Sequence, residues 1–145
     1  MSSEGARFGR DAKSKKPAPV SKVEARQLSS QDLVWLAQRL TAARRRREDF
    51  LSPGLFSEPG WEMLLALYEA NCAGHRVTST NLCRASNAPQ TTAIRWLDNL
   101  VELGLINRRK NPLDARVIFI ELEPHARAAI EAYLCDMWVT MFGPR

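Results

Sequence analysis

The sequence predicts a mainly α fold carrying one small β-hairpin, and three observations predict it. Between Thr78 and Leu122 a short helix, a tight turn and a longer helix lead into a strand-turn-strand segment rich in β-branched residues. Apolar residues recur at helical spacing on both sides of that stretch. The chain has 145 residues, 45% of them hydrophobic, enough for one core and too little for a second. Helix, turn, helix and hairpin in that order make a winged helix-turn-helix, here with a further helix at each end.

Residues 1–29 combine Ser, Lys, Pro and Ala with few large apolar groups, as in Lys13-Ser14-Lys15-Lys16-Pro17-Ala18-Pro19. Such a composition buries little, so a flexible basic tail is expected, either adding nonspecific phosphate contacts or simply solvated. The folded domain is expected over 30–145. Its first helical segment, within 30–52, starts where Ser29-Ser30-Gln31-Asp32 supplies a cap, with Leu33, Leu36, Ala37 and Leu40 on one stripe. Arg44 to Arg47 then point charge around the helix: some can approach phosphate while others pair with Glu48 or Asp49, or they form a solvated helix end. Phe50, Leu51, Pro53, Gly54, Leu55 and Phe56 make an apolar connector that cannot stay helical past Pro53, and its aromatic rings are expected in the core.

The candidate DNA-binding unit spans 57–122. Ser57-Glu58-Pro59 opens a helix with Trp61, Leu64, Leu65, Tyr68 and Cys72 at apolar spacing, ending between Asn71 and Gly74; Trp61 reads as a core anchor. Thr78 and Ser79 suit a helix cap, and Leu82, Cys83 and Ala85 form the apolar side of a short helix. In Ser86-Asn87-Ala88-Pro89, Asn tolerates turn geometry and Pro can open the next helix. From Pro89 to Leu103, Ala93, Ile94, Leu97, Leu100 and Val101 mark a buried stripe, leaving Gln90, Thr91, Thr92, Arg95 and Asn99 largely outside it. Gly104 ends this helix and Leu105-Ile106 begins the hairpin. Arg108, Arg109 and Lys110 lead to the turn Asn111-Pro112-Leu113-Asp114, and Val117 to Leu122 return. Amide, hydroxyl and guanidinium groups near the start of a helix match the base edges of a DNA major groove, and a basic wing can reach backbone or minor groove. Beyond the wing, Ala126, Ala129, Ile130, Tyr133, Leu134, Met137, Trp138 and Met141 give a last helix, 124–142, an apolar face too broad for one small core.

Arg95, then Leu100, Gly104 and Leu105, then Asp114-Ala115-Arg116 and Leu122 resemble the MarR group of bacterial transcription regulators over roughly 57–134. The resemblance implies that the residues before Gly104 form a recognition helix, and that Asp114 and Arg116 are the Asp-x-Arg pair of a wing whose Arg enters the minor groove. It also implies dimerisation through the helices in 30–52 and 124–142, and a small-molecule effector between those helices and the winged unit. Trp35, Trp61, Phe50 and Phe56 could line such a pocket or belong to the core. Where the group usually has Leu-Thr or Leu-Ser after the second wing strand, this chain has Leu122-Glu123-Pro124; Pro124 suits a first helical turn and Glu123 its positive end.

The net charge of +5 gathers unevenly. Residues 1–30 hold seven basic and three acidic side chains, and residues 61–145 nine of each, yet around the hairpin Arg84, Arg95, Arg108, Arg109, Lys110 and Arg116 oppose only Asp98, Glu102 and Asp114. No apolar run reaches the roughly 18 residues of a membrane span, and no secretory core precedes the domain, so a cytoplasmic protein is expected. Cys72, Cys83 and Cys135 form no CxxC pair, and neither His75 nor His125 has a second ligand at metal spacing, so no metal and no cofactor are expected. Some MarR-type proteins sense oxidants through cysteine; the three thiols here read as either such a switch or inert core groups. No phosphate loop, nucleophile elbow or acid pair suggests an enzyme.

These readings converge on a sequence-specific, double-stranded DNA-binding transcription regulator acting as a homodimer. Gln90, Thr91, Thr92 and Arg95 are its major-groove candidates, Asp114 and Arg116 its wing pair, and Ser79, Thr80, Arg108, Arg109 and Lys110 its phosphate candidates. The alternative is a winged helix kept as a protein-interaction module or a nonspecific architectural DNA binder.

Overall fold

The computed structural model describes residues 28–51 and 58–143. The expectation of a flexible tail falls mostly, and that of a buried Phe56 wholly, outside these residues.

Helix α1 spans Ser30–Arg46. It starts where the sequence places it: the Ser29 hydroxyl accepts from the Asp32 amide at 3.1 Å, while the Ser29 amide donates to the Asp32 carboxylate at 2.9 Å, a reciprocal cap. Leu28 already packs on the core, two residues ahead of the expected domain boundary at residue 30. At its far end α1 stops at Arg46 and gives way to one 3-10 turn, Arg47–Asp49, short of residue 52. Arg44 pairs with Glu58 at 2.9 Å rather than with Glu48 or Asp49, tying α1 to the start of the next helix. Phe50 and Leu51 are exposed, 79% and 58%, contrary to a buried connector. Their amides turn back onto the Arg47 carbonyl at 3.1 and 3.0 Å, and this local closure ends the helix before its apolar stripe can carry them inward.

Helix α2, Pro59–Cys72, has proline in its first turn, where a missing N–H costs nothing. Met63, Leu65, Leu67 and Tyr68 are buried at the centre of the domain. Gly60 is needed for packing: a Cβ there would lie 2.8 Å from the Trp96 ring, so only glycine lets that indole rest on the start of α2. Gly74, at φ +74°, closes the helix as the His75 amide reaches back to the Ala70 carbonyl at 2.9 Å.

A two-residue strand β1, Val77–Thr78, leads directly into α3, Ser79–Ala85. The Thr78 hydroxyl caps α3 by accepting from the Asn81 amide at 3.2 Å. Asn87 takes the left-handed turn position at φ +53°, and Pro89 precedes helix α4, Gln90–Glu102, as its cap residue. Strands β2, Ile106–Lys110, and β3, Ile118–Leu122, form the hairpin, and the antiparallel sheet has the order β1-β3-β2. Ile106 lies opposite Leu122, Arg108 opposite Ile120 and Arg109 opposite Phe119. β1, which pairs Val77 with Ile120, is too short to leave a period of two in the sequence and was not expected.

Helix α5, Pro124–Phe142, returns across α1 and α2. Ala126, Ile130, Leu134 and Cys135 are buried, and rings join the terminal helices, Trp35 to Trp138 at 5.8 Å and Trp35 to Phe142 at 6.0 Å, while Trp61 of α2 meets Tyr133 at 5.0 Å. Tyr133, Met141 and Phe142 nevertheless stay about half exposed, so the apolar face of α5 exceeds what the described residues cover. The described residues form a winged helix-turn-helix with a helix before and after it.

Candidate nucleic-acid interface

α4 buries Ala93, Leu97 and Leu100, an i, i+4, i+7 stripe narrower than the sequence suggests. Ile94, expected in that stripe, is 46% exposed because it turns toward the groove between α3 and the hairpin. Gln90, one turn before Ile94 on the same side, is exposed, as are Thr91 and Arg95, and Thr92 is half-buried. None of the four side chains has a hydrogen bond or ion pair among the described residues, so their donors and acceptors are open in the N-terminal half of the helix.

The groove has a volume of about 680 Å³ and is bounded by Ser79 and Thr80 of α3, Gln90 and Asp98 of α4, and Arg108 of β2. Four of the expected contact residues therefore meet around one concavity, joined by Arg84 from α3, which the motif reading passed over. Arg108 is not a free cation. Its guanidinium pairs with Asp98, and this bond ties the root of the hairpin to α4. Arg109 is also engaged, by Glu121 at 2.8 Å. Strand alternation explains both pairings: Arg108 shares its face with Ile120 and looks toward α4, whereas Arg109 lies on the other face, diagonal to Glu121. Lys110 remains exposed, with no carboxylate partner among the described residues. Asp98, four residues after Ile94, is on the exposed side of α4 by helical spacing alone. Its partner lies on a different element, and only the folded chain identifies it.

At the hairpin tip the Asn111 side-chain Oδ1 accepts from the Leu113 amide at 2.9 Å. Asp114 accepts from the Arg116 amide at 3.1 Å, from Nε at 3.1 Å and from Nη2 at 3.2 Å. Those bonds from Arg116 hold the Asp114 carboxyl below its ordinary range. The Arg116 side chain is 91% exposed, so the clip orients a guanidinium that stands in solvent. Both residues of the Asp-x-Arg pair thus lie in the turn between β2 and β3.

Among the described residues, the aromatic side chains expected around an effector pocket, Trp35, Trp61 and Phe50, do not converge. Trp35 joins the α1–α5 ring cluster, Trp61 packs edge-on against Tyr133, and Phe50 faces solvent. Burial pushes the Cys83 and Cys135 thiols up, away from reactive thiolate character. Cys72 lies 3.8 Å from the Arg127 guanidinium. Among the described residues no three His, Cys, Asp or Glu side chains are grouped to hold a metal ion, and no helix is long and apolar enough to cross a membrane.

No protein-family model matches the chain. A curated relative, the HTH-type transcriptional repressor YetL of Bacillus subtilis, is 35% identical over 85 residues, which is 59% of this chain and 49% of the relative. The chain thus spans about half the length of the curated relative it matches. Solved structures similar to it include S. aureus MepR in a DNA-binding conformation, with TM-score 0.49 and 20% identity over 79% of this chain and 82% of that one. Another is a mutant MarR from E. coli complexed with operator DNA, with TM-score 0.45 and 25% identity over 70% and 72%.

Proposed function

We propose that this chain is a MarR-type transcription regulator, a homodimer that binds double-stranded DNA at a two-fold operator. One observation carries the reading: α4 presents Gln90, Thr91 and Arg95 uncommitted at its N-terminal half, in the same unit as a wing whose Arg116 side chain is 91% exposed. A helix start with amide, hydroxyl and guanidinium groups reads base edges in the major groove, and an extended wing guanidinium suits the narrow, electronegative minor groove. Thr92, half-buried, limits its own reach to backbone or methyl contact. Ser79, Thr80, Lys110 and the Arg108 that Asp98 orients supply the phosphate contacts that set register, with Arg109 secondary because Glu121 competes for it.

The half-exposed Tyr133, Met141 and Phe142 on α5, beside Trp35 of α1, give the homodimer its apolar seam. A dimer presents two α4 helices to two half-sites, the geometry a two-fold operator demands. The relative's role as a repressor suggests repression by occupancy of the operator. The reading implies a cytoplasmic protein that acts by binding and performs no catalysis.

Selection of bound duplexes from a random library, followed by fluorescence anisotropy on the winning duplex across a salt series, tests this directly. A two-fold motif that keeps its advantage at physiological salt is expected. Absence of enrichment, or binding that disappears with salt, would instead indicate an interaction module or a nonspecific binder. Sedimentation at micromolar concentration should give the mass of a dimer, and a monomer would overturn the two-fold arrangement.

A further inference from the structure

Ile94 stands among polar groups in the N-terminal half of α4, yet 46% of it is exposed. It lies on the side of the helix that carries Gln90 one turn earlier, and both border the groove shared with α3 and the hairpin. Ala88, Leu97 and Ile118, the other aliphatic groups of that lining, are half-buried or buried, so Ile94 is the aliphatic group that the groove presents outward. Its flanks are Ser79 and Thr80, whose hydroxyls suit phosphate oxygens. A DNA strand held there would bring base edges, not backbone, to the position of Ile94.

An isoleucine side chain pairs with neither a phosphate nor the amide and carbonyl edges of a base. The apolar group that a base pair offers in the major groove is the C5 methyl of thymine. A β-branched side chain on a helix is also nearly fixed at χ1, so it loses little freedom on making such a contact and holds its methyl groups in one place.

We propose that Ile94 is a specificity-determining residue that reads one thymine in each half-site by packing against its C5 methyl. The inference rests on the operator reading proposed above. It adds an apolar contact to the polar ones of Gln90, Thr91 and Arg95, and it makes A·T distinguishable from G·C at a position that hydrogen bonds alone need not read.

The test replaces each thymine of the selected operator in turn by deoxyuridine, which removes the methyl and leaves every hydrogen-bonding group of the base unchanged. Binding of the full-length protein is followed by fluorescence anisotropy. One position per half-site should weaken binding about fourfold when replaced, and about fifteenfold when replaced in both half-sites. Ile94→Ala should bind the thymine and uracil duplexes equally at that position, and Ile94→Val, which serves if Ile94→Ala fails to fold, should show a reduced preference. Arg116→Ala should weaken both duplexes and keep their ratio. A merely structural role for Ile94 would likewise lower both affinities and leave the ratio intact in Ile94→Ala, and that result would overturn the proposal. So would an operator with no thymine sensitive to the replacement, while the operator reading itself would stand. Failure to select any two-fold motif would overturn both together.

Discussion

At the root of the hairpin Ile106, Ile120 and Leu122 are 8% exposed or less, whereas at its tip Leu113 is 95% exposed and the Arg116 side chain 91%. The root is braced from several directions: β1 pairs with β3, Arg108 pairs with Asp98 of α4, and the Asn107 side-chain Nδ2 donates to the Glu123 carboxylate at 2.8 Å. The tip is held by its own residues, through Asn111 to Leu113 and Asp114 to Arg116. A wing built this way separates its two tasks. The root uses burial to fix where the wing stands relative to α4, and the tip offers a charged group whose removal costs the fold little.

The largest expected effect tests the root. Ile120→Ala removes a side chain wedged between β1, β2 and the helices, and should cost about 2–5 kcal/mol in urea unfolding. A loss below about 0.5 kcal/mol would mean that the sheet root is not part of the cooperative core. Next comes the tip: Arg116→Ala should leave unfolding within about 0.5 kcal/mol of the parent while weakening operator binding by about 1–3 kcal/mol. Arg95→Ala should cost a similar amount on the preferred duplex and flatten preference at one base-pair position. If both variants kept full affinity and preference, the assigned contact surface would be wrong.

A smaller effect is expected where the root meets the helix-turn-helix. Thr78→Ala removes the α3 cap and should destabilise by about 1 kcal/mol, with Thr78→Ser recovering most of it. The smallest concerns the clip itself. Because Arg116 holds the folded Asp114 carboxyl below its ordinary value, the clip is intact at neutral pH and through the usual aspartate range, and is lost only as pH falls through the lowered value. An NMR titration of the Arg116 Nε–H should show that transition in the parent and not in Asp114→Asn. A transition at or above the usual aspartate range would refute the clip.

The same contrast governs what could be read in advance. Ser29 with Asp32, Thr78, Asn87, Gly74 and Gly104 announce helix starts and stops because each acts on backbone groups within a few residues, and all five act as their local chemistry suggests. The Asp114–Arg116 clip is equally local, yet the sequence names its two residues and not the bonds between them. Ile94 and Phe50 stay exposed against expectation, since hydrophobicity says that a side chain can be buried and not that a partner surface reaches it. Thr92, Gln90 and Arg95 could be named as exposed candidates from periodicity, but the sequence did not reveal that Gln90 would border a groove shared with Ser79 and Arg108.

By itself, then, the sequence determined the order and type of the main elements and the turn that sets α3 against α4, through capping, glycine conformation and helical period, all short-range effects. Tertiary structure decided the rest: the third strand, which exists because Val77 and Thr78 find β3; the pairing of Arg108 with Asp98 and of Arg109 with Glu121; and the groove that leaves Ile94 half exposed beside Ser79 and Gln90. Each of these depends on which face of a strand or helix meets a residue from another element. That choice is made by packing of the whole core, which no local pattern encodes.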